Sequence, residues 1–272
     1  MDRFVDKFDQ LLAEARASAD LQHSAPNAER LTLTIYSPAA NDDLQGNTAM
    51  GMLPSISARA IDLIVAFEVG GEQPYNQRYR HPIWPRGQSG ITCGIGYDLG
   101  YVTPLQLAAD WRGHTSDANL ALLAKACGIK GSAALLLPPL AAVDIGFASA
   151  MAVFQTTVQQ TIVQTLRALP NAAALDGDCL GALVSLVYNG GALFALPGER
   201  YLEMRQIRED VAARRFALVP QRLRSMKRLW QNIADARGLL RRRELEALLF
   251  EAGLTQAPSM AGAESGRTPA PP

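Results

Sequence analysis

The sequence predicts a chain of the α+β class that is predominantly α: a small β-hairpin lobe beside a larger helical lobe built around a buried central helix. Three observations carry this. In SGITCGIGYDLG, Ile91, Cys93, Ile95, Tyr97 and Leu99 alternate with Thr92, Gly94, Gly96 and Asp98, the period of two that marks β structure. From Thr103 onward one helical pattern follows another with short connections, as in a mainly helical domain. Within that run CLGALVSLVYN, opened by Asp178, is apolar almost all round, and such a helix is buried on every side.

Composition narrows the function. With 272 residues, 48% of them apolar, the chain can bury a substantial core in one or two domains. Its formal net charge is zero, so long-range attraction to nucleic acid is not the expected driver. Half of the basic residues, 13 of 26, nevertheless fall between Glu199 and Arg243 against five acids. Two readings of that stretch are open: a face for an anionic polymer, or arginines on the solvated sides of helices. Cys93, Cys127 and Cys179 show no disulfide or zinc spacing and read as small core residues. His23, His81 and His114 are scattered, so neither a metal site nor any other cofactor is expected. MDRFVDKFDQLL interleaves acids with apolar residues, unlike a secretory signal, and no apolar run is long enough for a membrane span. A chain synthesised in the cytoplasm without a Sec signal is the expectation.

In order along the chain, residues 2 to 17 form an amphipathic helix with Phe4, Phe8, Leu11, Leu12 and Ala15 on one stripe. LTLTIYS (31 to 37) alternates as a strand does, and residues 38 to 54, rich in turn formers, read as a linker. Residues 1 to 54 are thus an N-terminal appendage, either a cover for the domain that follows or a segment for docking and delivery. The next helix begins at Ser57, which can cap its free amides, and ends at Gly70-Gly71. On it Ile61, Ile64, Val65 and Glu68 share a face, so an acid stands where an apolar residue belongs. A carboxyl held against apolar neighbours loses hydration, which disfavours its charged form and suits a general acid.

Residues 72 to 90 carry Tyr75, Tyr79, Trp84, arginines and prolines and read as irregular. Trp84 and the tyrosines, including Tyr97 of the hairpin, are candidate saccharide contacts; the alternative is that they pack. In the hairpin itself Thr92 and Asp98 fall on one face. Straight extension would hold them about 20 Å apart, so the strand bends, and Gly94 and Gly96 permit this. A helix ending in a desolvated Glu, followed by a bent hairpin with Thr and Asp, can form a glycoside hydrolase site of one acid and one base.

Thr103-Pro104 is a cap followed by proline in the first turn. Helices are expected over Ser116 to Ala126, Asp144 to Phe154 and Thr157 to Leu169, then the central helix to Asn189 and Gly190-Gly191, then 199 to 216, then from Pro220 through Met226 and Trp230. In GLLRRRELEALLF the stripe Leu239, Arg242, Leu245, Leu249 again contains a charge. A buried arginine is costly unless paired. Arg242 either pairs with Glu68 and orients it or reaches the surface along its aliphatic stem. The tail after Leu254, residues 255 to 272, is rich in Pro, Ala, Ser and Gly and is expected to be disordered.

Glu68 near its helix end, TCGIGY, VSLVYNGGALF and GLLRRRELEALLF occur in that order over residues 55 to 254. Together they resemble the phage-type lysozymes of glycoside hydrolase family 24. Those enzymes carry a second carboxylate shortly before the threonine, whereas IWPRGQSGI contains no acid. Asp98, after Thr92, instead resembles the arrangement in pesticin-like muramidases. The resemblance implies a lysozyme-like catalytic domain over 55 to 254, Glu68, Thr92 and Asp98 as the catalytic set, Arg242 as the partner of Glu68, and Asn189 as a cleft-lining substrate contact.

The expected activity is that of an N-acetylmuramidase, cleaving the β-1,4 bond between N-acetylmuramic acid and N-acetylglucosamine in peptidoglycan glycan strands. Glu68 would protonate the leaving oxygen and Asp98 and Thr92 would manage the water, on an inverting course. A lytic transglycosylase and a noncatalytic peptidoglycan-binding module are the alternatives. The expected role is an antibacterial effector acting in the periplasm of target cells, with a secretion-system carrier and an immunity protein as partners, or else a phage endolysin. Nucleic acid is not an expected partner.

Overall fold

The computed structural model describes residues 2–18, 53–85, 89–136, 140–233 and 236–256. These form a mostly helical protein with one small two-stranded antiparallel sheet. The expected strand at 31 to 37, most of the linker and most of the C-terminal tail lie outside the described residues.

Helix α1 (Arg3–Ala17) starts at Asp2, whose carboxylate accepts from the Phe4 amide at 2.9 Å. Its Phe8, Leu11 and Leu12 belong to the same core as the rest of the chain, and Arg241 and Asp62 pair with its Glu14 and Arg16. This stretch of the N-terminal appendage is therefore packed on the body of the protein. Helix α2 (Ala58–Val69) begins at the Ser57 cap and ends at Gly70 in the left-handed region. Residues 72 to 90 are less irregular than their prolines suggest, because helix α3 (Glu72–Arg78) opens there. Pro74 is tolerated in its first turn, where amides have no intrahelical acceptor.

After the hairpin, α4 (Pro104–Trp111) starts on a complete capping box between Thr103 and Gln106. Helix α5 (Asp117–Leu123) follows its Ser116 cap. The two helices expected over 144 to 169 are one, α6 (Phe147–Ala168). Nothing between Phe154 and Thr157 breaks a helix, and Asp144 instead stands outside it, bonded to Arg80 at 2.6 and 2.7 Å.

The central helix is α7 (Gly177–Gly190), buried from Asp178 through Tyr188. Its cap is Asp176 rather than Asp178; Asp178 is buried inside the first turn and binds Arg59 at 2.5 Å. Helices α2, α6 and α10 (Arg237–Gln256) surround it. Gly181 permits the approach of α2, since a Cβ there would collide with that of Ala60.

Helices α8 (Leu202–Ala212) and α9 (Val219–Ser225) complete the C-terminal half. Much of the basic stretch is spent internally. Arg215 and Arg222 bind Asp210, Arg224 binds Glu244 and Glu251, Lys227 binds Glu244, and Arg228 binds Glu199 and Glu203. These cations are paired with neighbouring carboxylates.

Candidate active site

Two very short strands, β1 (Thr92–Cys93) and β2 (Tyr97–Asp98), pair antiparallel with Thr92 opposite Asp98 and Cys93 opposite Tyr97. The bend is made by Gly94 and Gly96, at φ 59° and 74°, values that a side chain would strain. Thr92 and Asp98 are thereby direct cross-strand neighbours.

The turn of this hairpin meets the end of α2 and the end of α7. Tyr188 donates its hydroxyl to the Ile95 carbonyl at 2.9 Å. A Cβ on Gly96 would lie 3.1 Å from the Tyr188 hydroxyl and 3.5 Å from Glu68 Oε2, so the Glu68 carboxyl sits against the bare backbone of the turn. The other carboxyl oxygen, Oε1, accepts from Arg242 Nη1 at 3.0 Å, with both side chains almost wholly buried. The sequence-predicted pair is thus brought together by α2 and α10.

Arg242 is itself clamped. Its Nε donates to Ser185 Oγ at 3.2 Å and its Nη2 to the Ser185 carbonyl at 3.1 Å, and its guanidinium lies 5.7 Å from the Phe67 ring centre. Behind it, Glu246 Oε1 accepts from Ser185 Oγ and from Arg243 Nη2, both at 2.8 Å, with Arg242 Nε at 3.4 Å. Burial pushes the Glu246 carboxyl above its ordinary value against the pull of the two arginines. Burial likewise lowers the Arg243 guanidinium, to about 10, which leaves it charged at neutral pH. Arg243, Glu246 and Ser185 escape a reading of the sequence that follows one apolar stripe. The available signals were a serine in an otherwise apolar helix and an acid three and four residues after two arginines.

The remaining expected residues are placed as follows. Asp98 Oδ1 accepts from the Gly90 amide at 3.0 Å and the Gly100 amide at 2.8 Å, so its carboxylate also holds the base of the hairpin. The Thr92 hydroxyl is buried without a hydrogen-bond partner. Asn189 is half-buried and its Oδ1 accepts from Arg243 Nη2 at 3.1 Å. Trp84 is half-buried and donates to the Ser89 carbonyl at 3.0 Å. Tyr97 is 6% exposed, its ring meets Trp111 edge-on, and its hydroxyl donates to Asp110 at 2.7 Å. These contacts pack the hairpin onto α4, which is the alternative the sequence left open for it. Tyr75 is equally a packing residue, fully buried with its hydroxyl on the Ile145 carbonyl.

No protein-family model matches the chain, and no curated protein does either. Among the described residues no group of three or more His, Cys, Asp or Glu could hold a metal ion, and no helix is long and apolar enough to cross a membrane.

Proposed function

We propose that the protein is a peptidoglycan glycosidase of lysozyme-like fold, an N-acetylmuramidase in which Glu68 is the general acid. The observation that carries this is the setting of Glu68. A shielded carboxyl is fixed by a buried guanidinium and set against the glycine turn of a hairpin that pairs a threonine with a second acid. In the proposed reaction Glu68 protonates the oxygen leaving from the muramic acid carbon. Asp98 takes a proton from a water held with Thr92 on the opposite face as its oxygen bonds to the muramic carbon, and the product keeps a reducing muramic end. The biological role proposed with this chemistry is that of an antibacterial effector, or of an endolysin.

A second reading draws on two details of the hairpin. The Asp98 carboxylate is engaged with backbone amides, and the Thr92 hydroxyl is covered. A lytic transglycosylase needs neither residue for chemistry; its Glu68 would serve as acid and then as base, drawing the muramic C6 hydroxyl in place of water to give a 1,6-anhydro end.

Purified sacculi, with turbidity loss and mass spectrometry of the released muropeptides, separate the two. Glu68→Gln is expected to lower the rate by roughly 10²- to 10⁴-fold under either reading. Asp98→Asn is expected to abolish release of reducing ends. Retained activity with anhydro products would move the protein to the transglycosylases, and no cleavage by the wild type would refute both.

A further inference from the structure

Helix α10 carries three arginines in succession, and the last two, Arg242 and Arg243, are buried, at 2% and 1% exposure. Adjacent guanidiniums repel, and a guanidinium out of water is costly unless matched by an acid. Glu246 supplies that acid from the next turn, reaching Arg242 at i+4 and Arg243 at i+3. It is wholly buried, so it meets no substrate, yet each arginine it holds extends to a residue of the proposed site. Arg242 Nη1 reaches Glu68 at 3.0 Å. Arg243 Nη2, the nitrogen bound to Glu246, also reaches Asn189 Oδ1 at 3.1 Å, which turns the amide nitrogen of Asn189 away from that contact. Ser185 joins the two limbs: its hydroxyl donates to Glu246 and accepts from Arg242.

We infer that Glu246 is a positioning residue that aims the acid through Arg242 and the substrate contact through Arg243, so that one buried carboxylate sets both turnover and binding. This rests on the muramidase reading. Small errors in aim are expensive at a reacting centre, where a displacement of about 1 Å can cost about a hundredfold in rate. A lost hydrogen bond to substrate is a smaller effect, about fivefold in affinity. Loss of Glu246 therefore has a signature that loss of either limb alone lacks.

The test is steady-state kinetics on solubilised glycan strands, with thermal melts to establish folding. Glu246→Gln is expected to lower kcat by roughly ten- to a hundredfold and to raise KM several-fold. Asn189→Ala is expected to raise KM alone, and the KM increases of the two variants should not add, since they act through one contact. Glu246→Gln leaves two buried cations with one fewer acid, so the Arg243→Met/Glu246→Gln double variant is measured beside it. That variant removes one charge of each sign, restoring the balance that folding needs while leaving Arg242 without its second anchor and Asn189 without its donor. The double variant is expected to show the same kcat and KM defects at a near-normal melting temperature. Wild-type constants in either folded variant would overturn the inference and leave the muramidase reading intact. A wild type that cleaves no strand would overturn both.

Discussion

Gly96 adopts φ 74° with the Tyr188 hydroxyl and the Glu68 carboxyl both close to where a Cβ would stand. Alanine there meets two separate penalties, a left-handed backbone worth about 1–2 kcal/mol and a methyl group pressed on the two side chains. Gly113 has φ 84° and nothing within 4 Å of its Cβ position, so Gly113→Ala isolates the first penalty. Both variants are expected to melt at lower temperature, and only Gly96→Ala is expected to lose muropeptide release, by roughly tenfold or more. Equal activity in the two would show that the turn does not touch the reaction. Residues of this kind differ in how far the sequence announces them. Glu68 and Arg242 each interrupt an apolar stripe, so an anomaly of pattern led to both ends of one ion pair. Thr92 and Asp98 were placed on one face by alternation and brought opposite each other by two glycines. The occupation of Asp98 by two backbone amides and the covering of the Thr92 hydroxyl depend on loops whose course no periodicity encodes. Tyr97 shows the same gap, because an aromatic residue near a site looks alike in sequence whether it faces sugar or tryptophan.

Among the elements, α1 decides how much of the N-terminal region belongs to the body. Phe8 is fully buried and the helix packs on α10 and α2. Phe8→Ala is expected to destabilise the protein by about 3–5 kcal/mol, lowering the midpoint of a single cooperative denaturant transition followed by both fluorescence and circular dichroism. A detachable segment would instead lose its helical signal early and leave the main midpoint unchanged. The starts at Ser57, Thr103 and Ser116 were legible to the residue, whereas the cap of α7 was not, since Asp176 stands two residues ahead of the expected Asp178. Joins between helices were not. Two helices were expected where α6 runs unbroken, since no glycine or proline stands at Gln155-Thr156 to end the hydrogen-bond ladder. Helix α3 was hidden for the opposite reason, by a proline at a position where it removes no hydrogen bond. The second charged side of α10 was concealed because the helix is buried against α7, α1 and α9, so no single stripe describes it.

Across the whole molecule, acids and bases drawn from separate helices hold the C-terminal half together. Burial would raise the Glu244 carboxyl, but the hydrogen bonds from Lys227 and Arg224 outweigh it and keep its value below the ordinary 4.5. An acid depressed on folding stabilises the native state fully above its unfolded value, and that stabilisation fades as pH falls through the folded value. The melting-temperature gap between wild type and Glu244→Gln is therefore expected to stay constant from neutral pH down to about 4.5 and to close below it. A gap that widened in acid would contradict the pairing. The bond between Glu68 and Arg242 spans 174 positions of sequence, and this separation has a consequence for how the protein is made. During translation the glutamate leaves the ribosome long before α10 exists, so every nascent chain carries the candidate acid without the guanidinium that fixes it. A message broken ahead of position 237 yields fragments with a hairpin and a glutamate but no completed site. Only a ribosome that has read through the last described helix releases a molecule in which this ion pair can close.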